Sequence, residues 1–291
     1  MRITRRLLLI IAAVMVGLAA VGGYVALDRW QRAMIFSVEL GDARWAREAP
    51  ASTDIADLPL ENGDTVRAWF IAGPSPEAPT VLYLHGSRWN LNSSVFRIER
   101  WLDMGYSILA IDYRGFGEST RRLPSQQSAR EDARRALQEL ARRQPDPGKR
   151  FVYGHSLGGA IAADLASRHT GVEFAGLILE STFTRIHDMI GSSRWAHIPG
   201  LRYLVTQPFD SLTAISRIRQ PVLLIHGTDD RVVPHTMSDA LYQAAQARPQ
   251  GRQVLVKIDG ASHSGASRNA GYAPAVQEFI RNVQRYSVAP T

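Results

Sequence analysis

The stretch "VYGHSLGGA", residues 152–160, sets a serine between two glycines where an apolar run stops and a string of small residues begins. A G-x-S-x-G string alone carries little weight, since average composition places one in a chain of this length about one time in ten. Its flanks carry the reading. "RFVY" ahead of it reads as a short strand, and residues 157–169 behind it read as a helix. A serine held on so sharp a strand-to-helix turn is a nucleophile elbow, with glycines where neighbouring backbone leaves no room for a side chain. The hydroxyl of Ser156 then projects above the sheet at the positive end of a helix.

A serine hydroxyl attacks only if a base takes its proton and an acid holds that base. Downstream, "LLIHGTDDRVVP" places Asp229 and Asp230 just past an apolar run, and "VKIDGASHSG" places His263 in a loop of small residues past the last one. The order Ser, Asp, His is that of one hydrolase class. Of the eight histidines, His85 and His226 precede glycines at strand ends, where a structural ring–backbone bond is expected. His155 lies inside the elbow beside the nucleophile, pointing elsewhere. His169, His187, His197 and His235 fall at helix ends or in a connecting region. His263 is therefore the expected base and Asp230 the expected acid, with Asp229 and Glu180 as alternatives. The oxyanion donors expected are the backbone N–H groups of Leu157 and of Ser87, the latter in the loop "HGSRWNLNSS". No phosphate-loop string is present. "IDYRGFGES" (111–119) is read as a structural turn with an Asp112–Arg114 ion pair.

Outward from the elbow, short and nearly continuous apolar runs at 80–86, 107–115, 150–154, 175–182, 221–227 and 253–259 predict strands buried on both faces. Helical stretches at 92–104, 127–143, 157–169, 236–247 and 273–285 separate them. Alternating β and α predicts an α/β domain, a mostly parallel sheet with helices on both faces. "LPLENGDTVRAWFI" (58–71) adds a hairpin whose Asn62-Gly63 suits a tight primed turn.

The 291 residues hold no cysteine, which excludes disulfides, thiolate catalysis and cysteine-ligated metal centres. The formal charge of +7 is mostly arginine, much of it in "SAREDARRALQELARR" (128–143). Interleaved acids and an apolar stripe make that segment a solvated helix face rather than a nucleic-acid patch. Arg2, Arg5 and Arg6 form a basic N-terminus (1–6) ahead of an uncharged apolar run, 7–27, of the length that crosses a bilayer. The run is longer than the apolar core of a cleaved signal. A single-pass anchor in the inner (cell) membrane, with the catalytic domain on the outer, periplasmic side, is the expectation; secretion after cleavage is the alternative. Residues 28–54 read as a juxtamembrane connector, 55–285 as the α/β domain and 286–291 as a tail.

"LYLHG", "AIDYRGFGES", "GHSLGG", "LESTF", "IHGTDDRVVP" and "GASHSG", in that order, resemble the α/β-hydrolase-fold serine hydrolases over nearly all of residues 55–285. The nearest look is to the Bem46-like group and its eukaryotic ABHD-type relatives, whose domains are often grouped with serine aminopeptidases of the S33 type. The resemblance implies Ser156, Asp230 and His263 as nucleophile, acid and base, and it departs at Ser87, where relatives commonly carry asparagine. Residues 183–219 form an expected short lid, with Trp195, Ile198, Leu201, Tyr203, Leu204 and Phe209 either covering the sheet end or building an acyl pocket that faces the membrane. The implied activity is cleavage of a small ester, thioester or lipid-like acyl substrate, with no cofactor and no metal. The same machinery serves peptidases and acyltransferases, and a dormant triad would leave a membrane-tethered binding domain.

Overall fold

The computed structural model describes residues 5–39, 41–247 and 252–287, the side chains of residues 194, 195, 286 and 287 excepted. Arg2, the Trp195 side chain and the tail beyond residue 287 therefore lie outside the described residues. Eight strands form one sheet: β1 (Asp54–Pro59), β2 (Thr65–Ile71), β3 (Thr80–Leu84), β4 (Ser107–Ile111), β5 (Arg150–His155), β6 (Gly176–Glu180), β7 (Val222–Gly227) and β8 (Gln253–Ile258). Their order is β1-β2-β4-β3-β5-β6-β7-β8. The β1–β2 and β2–β4 pairs are antiparallel and every other pair is parallel.

The apolar runs of β3 to β7 are buried because both sheet faces are covered, whereas 253–259, expected to be buried too, forms the edge strand β8, where Val254 is exposed and only Ile258 is buried. Among the described residues the α-helices are α1 (Arg5–Phe36), α2 (Val95–Asp103), α3 (Gln126–Arg143), α4 (Leu157–Ala166), α5 (Ile186–Gly191), α6 (Ser211–Ile215), α7 (Thr236–Gln246) and α8 (Tyr272–Ser287). Side chains alternate across a strand. Leu82 and Leu84 of β3 thus join one core with α3, α4, α6 and α7, while Val81 and Tyr83 join a second with α2 and α8. In chain order, β3 leads to β4 on one side, and β5 then pairs on β3's other side. Strand order reverses there, and ligands bind beyond the carboxyl ends of strands at such a switch point. The elbow after β5 and the loop after β3 both fall at it.

Two local expectations are corrected. Gly63 has φ +83, but Asn62 does not share a positive φ, and the Gly63 N–H donates to the Leu60 carbonyl at 3.0 Å. The β1–β2 connection is therefore a three-residue turn with glycine in the left-handed position, not a two-residue primed turn. Arg114 does not pair with Asp112. It is buried among Asp132 (2.7 Å), Glu131 (2.7 Å) and Asp64 (3.0 Å). Asp112 instead accepts from the Leu91 N–H at 2.9 Å. Of the arginines of α3, Arg130 pairs with Asp164 of α4, and Arg142 and Arg143 pair with Glu139.

Helix α1 runs past the apolar stretch to Phe36. Its most apolar 18 residues have a mean hydropathy of 2.4 and none is buried, the length and composition of a membrane span or signal sequence. Asp28, Gln31, Arg32 and Ile35 recur on one face at helical spacing. Gln31 bonds the Leu204 carbonyl and the Thr206 amide, Asp28 accepts from Gln207, and Arg32 reaches the carbonyls of Leu123 and Pro124. Phe36 is fully buried against Phe116 and Phe209.

Candidate active site

The elbow is built by steric exclusion. A Cβ on Gly158 would stand 2.1 Å from the Leu84 carbonyl oxygen, and one on Gly154 2.3 Å from the Gly158 oxygen. No side chain fits between β3, β5 and the first turn of α4. Gly158→Ala is therefore expected to destabilise the fold by about 2 kcal/mol or more, read by chemical denaturation; a change under about 0.5 kcal/mol would count against this packing. Ser156 itself carries φ 55 and ψ −118, a strained backbone for a residue with a Cβ.

Three residues separated along the chain meet here. Asp230, just past β7, is buried and accepts from His263 Nδ1 at 2.7 Å. With Nδ1 protonated, His263 Nε2 is the acceptor for the Ser156 hydroxyl at 3.0 Å. Asp230 Oδ1 also accepts from the amides of Val232 and Val233, both at 2.9 Å. Burial pushes the Asp230 carboxyl up, but its bonds to His226, His263 and the Val233 amide outweigh burial and hold it well below the ordinary carboxylate range. Because the folded value lies below the unfolded value of about 3.9, this group's contribution to stability is complete above that pH and is lost as pH falls through the folded value. The stability gap between wild type and Asp230→Asn is expected to shrink from pH 5 to pH 2 by circular dichroism. A constant gap would contradict it.

The alternative acids stand elsewhere. Asp229 is half exposed and pairs with Arg231 at 3.3 Å. Glu180 is fully buried and accepts from the Tyr153 and Tyr272 hydroxyls at 2.7 and 2.9 Å. Ser87 and Leu157 follow β3 and Ser156, and among the described residues neither amide has an acceptor within the protein. Leu157 opens α4, whose first N–H groups have no helical partner. Among the described residues no group of three potential metal ligands gathers.

Two histidines do more than sequence reasoning assigned. His226 Nε2 lies 3.1 Å from both Asp230 Oδ2 and the Val233 carbonyl. It is the shared donor, so Asp230 is held from two sides. His155 turns back to His263: its Nε2 is 2.9 Å from the His263 carbonyl and the rings lie 4.9 Å apart. Burial first, then the Arg97 charge, push His155 well below the ordinary histidine value. It is a neutral donor that positions the loop carrying His263. His85 makes the ring–backbone bond expected of it, to the Gly86 carbonyl at 2.6 Å.

A cavity of about 710 Å³ opens on Ser156 and His263. Its walls come from the loop after β3 with α2 (85–89, 93, 94, 96 and 97), from Ser264 and Arg268, and from Trp45 and Arg47 of the connector. Among the described residues, none of 183–219 lines it. Ile198, Tyr203 and Leu204 face solvent, and Phe209 is buried against Phe36. Among the lid residues with described side chains, Phe209 packs on α1 and none lines this cavity. A larger concavity of about 880 Å³, among residues 145–174 and 217–220, lies at the amino ends of the strands, remote from this chemistry.

Comparison with known proteins agrees with this architecture. Residues 75–213 match the family described as serine aminopeptidase, S33. The α/β hydrolase domain-containing protein WAV2 of Arabidopsis thaliana is 34% identical over 66% of this chain and 67% of its own length. The protein YfhR of Escherichia coli K12 is 30% identical over 79% of this chain and 81% of its own. Among solved structures, the Pyrococcus furiosus esterase Pf2001 superposes with a TM-score of 0.66 at 20% identity, over 83% of this chain and 96% of that one.

Proposed function

The chain belongs to the α/β-hydrolase family, of the serine aminopeptidase S33 type, and from that premise we propose a serine hydrolase that cleaves carboxylic esters or thioesters through an acyl-enzyme. The Ser156 hydroxyl attacks the carbonyl as His263 Nε2 takes its proton. The ionised Asp230 holds the ring's tautomer and offsets the imidazolium charge that forms. The amides of Leu157 and Ser87 receive the oxyanion; one such donor is typically worth about 3–4 kcal/mol. His263 passes the proton to the leaving alcohol or thiol. Water activated by the same ring then attacks the acyl carbonyl and frees the acid. Helix α1 holds the enzyme in a membrane, and Arg5 and Arg6 ahead of the apolar run keep its amino end cytoplasmic, with the catalytic domain on the other side.

The observation that supports this reading is the contact chain Asp230–His263–Ser156, at 2.7 and 3.0 Å. A fluorophosphonate probe tests it, labelling wild type and sparing Ser156→Ala. An unlabelled wild type, or equal labelling of the variant, ends the reading.

A further inference from the structure

The cavity beside Ser156 is lined by four arginines, Arg47, Arg88, Arg97 and Arg268, and, among the described residues, by no carboxylate. Arg47 and Arg88 stand at its exposed rim in ion pairs with Glu99 and Glu39. Arg97 differs. It is 6% exposed, and its Nε has no hydrogen-bond partner. Its nearest carboxylate oxygen, on Glu180, is 3.9 Å away, too long for a hydrogen bond. Its Nη2 is 3.2 Å from His155 Nε2, but that nitrogen lies 2.9 Å from the His263 carbonyl and must donate there, so it cannot accept. Arg268 is exposed and has no acidic partner among the described residues; its guanidinium lies 5.5 Å from the Phe96 ring that Arg97 approaches at 4.7 Å. One aromatic ring thus gathers two cations on one wall, and a single buried carboxylate offsets them. In a partly desolvated cleft an unbalanced cation favours an incoming anion.

We propose, on the basis of the hydrolase reading above, that the substrate carries an anionic group, a carboxylate or a phosphate, received between Arg97 and Arg268 while its scissile carbonyl sits at Ser156. The group comes either from a small acid ester or from a lipid headgroup. Three matched pairs test this. Mono-p-nitrophenyl glutarate against p-nitrophenyl valerate places the charge on the acyl side. Butyrylglycerol phosphate against butyrylglycerol places it on the leaving side. Palmitoylglycerol phosphate against palmitoylglycerol, in neutral detergent micelles, presents it on a lipid.

At low ionic strength wild type is expected to favour the anionic member of at least one pair by about ten- to a hundredfold in kcat/KM. Arg268→Glu brings that ratio to one or below. Preference in a short pair assigns the anion to a small acid ester; preference confined to the palmitoyl pair assigns it to a headgroup; either upholds the proposal. Arg97→Gln should lose the ratio too, but it also leaves Glu180 buried without a cation, so exposed Arg268 carries the decision. Ratios of one or below in every wild-type pair, or an unchanged ratio in Arg268→Glu, overturn the proposal. Fluorophosphonate labelling of the same wild-type sample separates the failures. A labelled enzyme without the preference sinks this proposal alone, and an unlabelled one sinks the hydrolase reading with it.

Discussion

His263→Ala is expected to lower kcat on p-nitrophenyl butyrate by about 10⁶-fold, some 8 kcal/mol of transition-state stabilisation. Ser156→Ala should cost about the same, and the double variant no more than either single one, because nucleophile and base act as a unit. Asp230→Asn should cost less, about 10⁴-fold, since the base survives but its tautomer and cation lose support. The ordering is diagnostic. Were His263 only a packing residue, its loss would act through stability, and kcat per folded molecule would barely move. Ring truncation at a partly exposed loop should shift the melting temperature by only a few degrees, so folding and chemistry separate in one experiment. A fall below about 10³-fold for His263→Ala, in protein that melts like wild type, would remove it as the base.

Those three residues were legible because each signal is local. Gly154 and Gly158 bracket Ser156 within five positions, and Asp230 and His263 each follow an apolar run that can only be a strand. The sheet was legible for the same reason, since β3 to β8 read as nearly continuous apolar runs. What escaped the sequence depends on contacts between distant segments. The bond from His155 to the His263 carbonyl spans 108 positions. The burial of Arg97 within 3.9 Å of Glu180 is a contact between distant segments, and nothing in "SSVFRIER" announces it. The Asp112–Arg114 pair failed because acids delivered by α3 and the hairpin outcompete a neighbour two positions away. The Asn62-Gly63 signal serves two turn types alike, so it located the hairpin without fixing the turn. The composition of 183–219 suits a cover and an acyl pocket alike. In the folded protein Phe209 is consumed by Phe36, leaving none of the described lid side chains on the cavity.

Removing residues 1–54 is expected to abolish ester hydrolysis and lower the melting temperature sharply, whereas removing 1–27 should preserve both in detergent-free solution. The resemblance to other hydrolases begins near residue 55, so the shorter protein looks sufficient on sequence alone. The connector makes it insufficient. Arg88, next to the proposed oxyanion donor Ser87, holds a φ of 81, a strained value for a residue with a side chain. Its N–H donates to the Phe36 carbonyl at 2.8 Å and its carbonyl accepts from the Glu39 amide at 3.0 Å. Farther along, the Arg47 amide bonds the Asn92 carbonyl at 3.0 Å and the Trp45 indole bonds the Ser93 carbonyl at 3.1 Å. The connector thus clamps the loop that carries the proposed oxyanion donor, and Trp45 and Arg47 wall the cavity. Phe36 alone is a full core side chain, and Phe36→Ala should cost about 3–5 kcal/mol. In the 28–291 protein, segment 28–36 is too short to persist as a helix by itself, so its order there comes from this docking. Activity on p-nitrophenyl butyrate and thermal melting of the 28–291 and 55–291 proteins decide the matter. Equal rates and equal melting temperatures would mean that the loop holds its shape unaided and that the connector is only a tether.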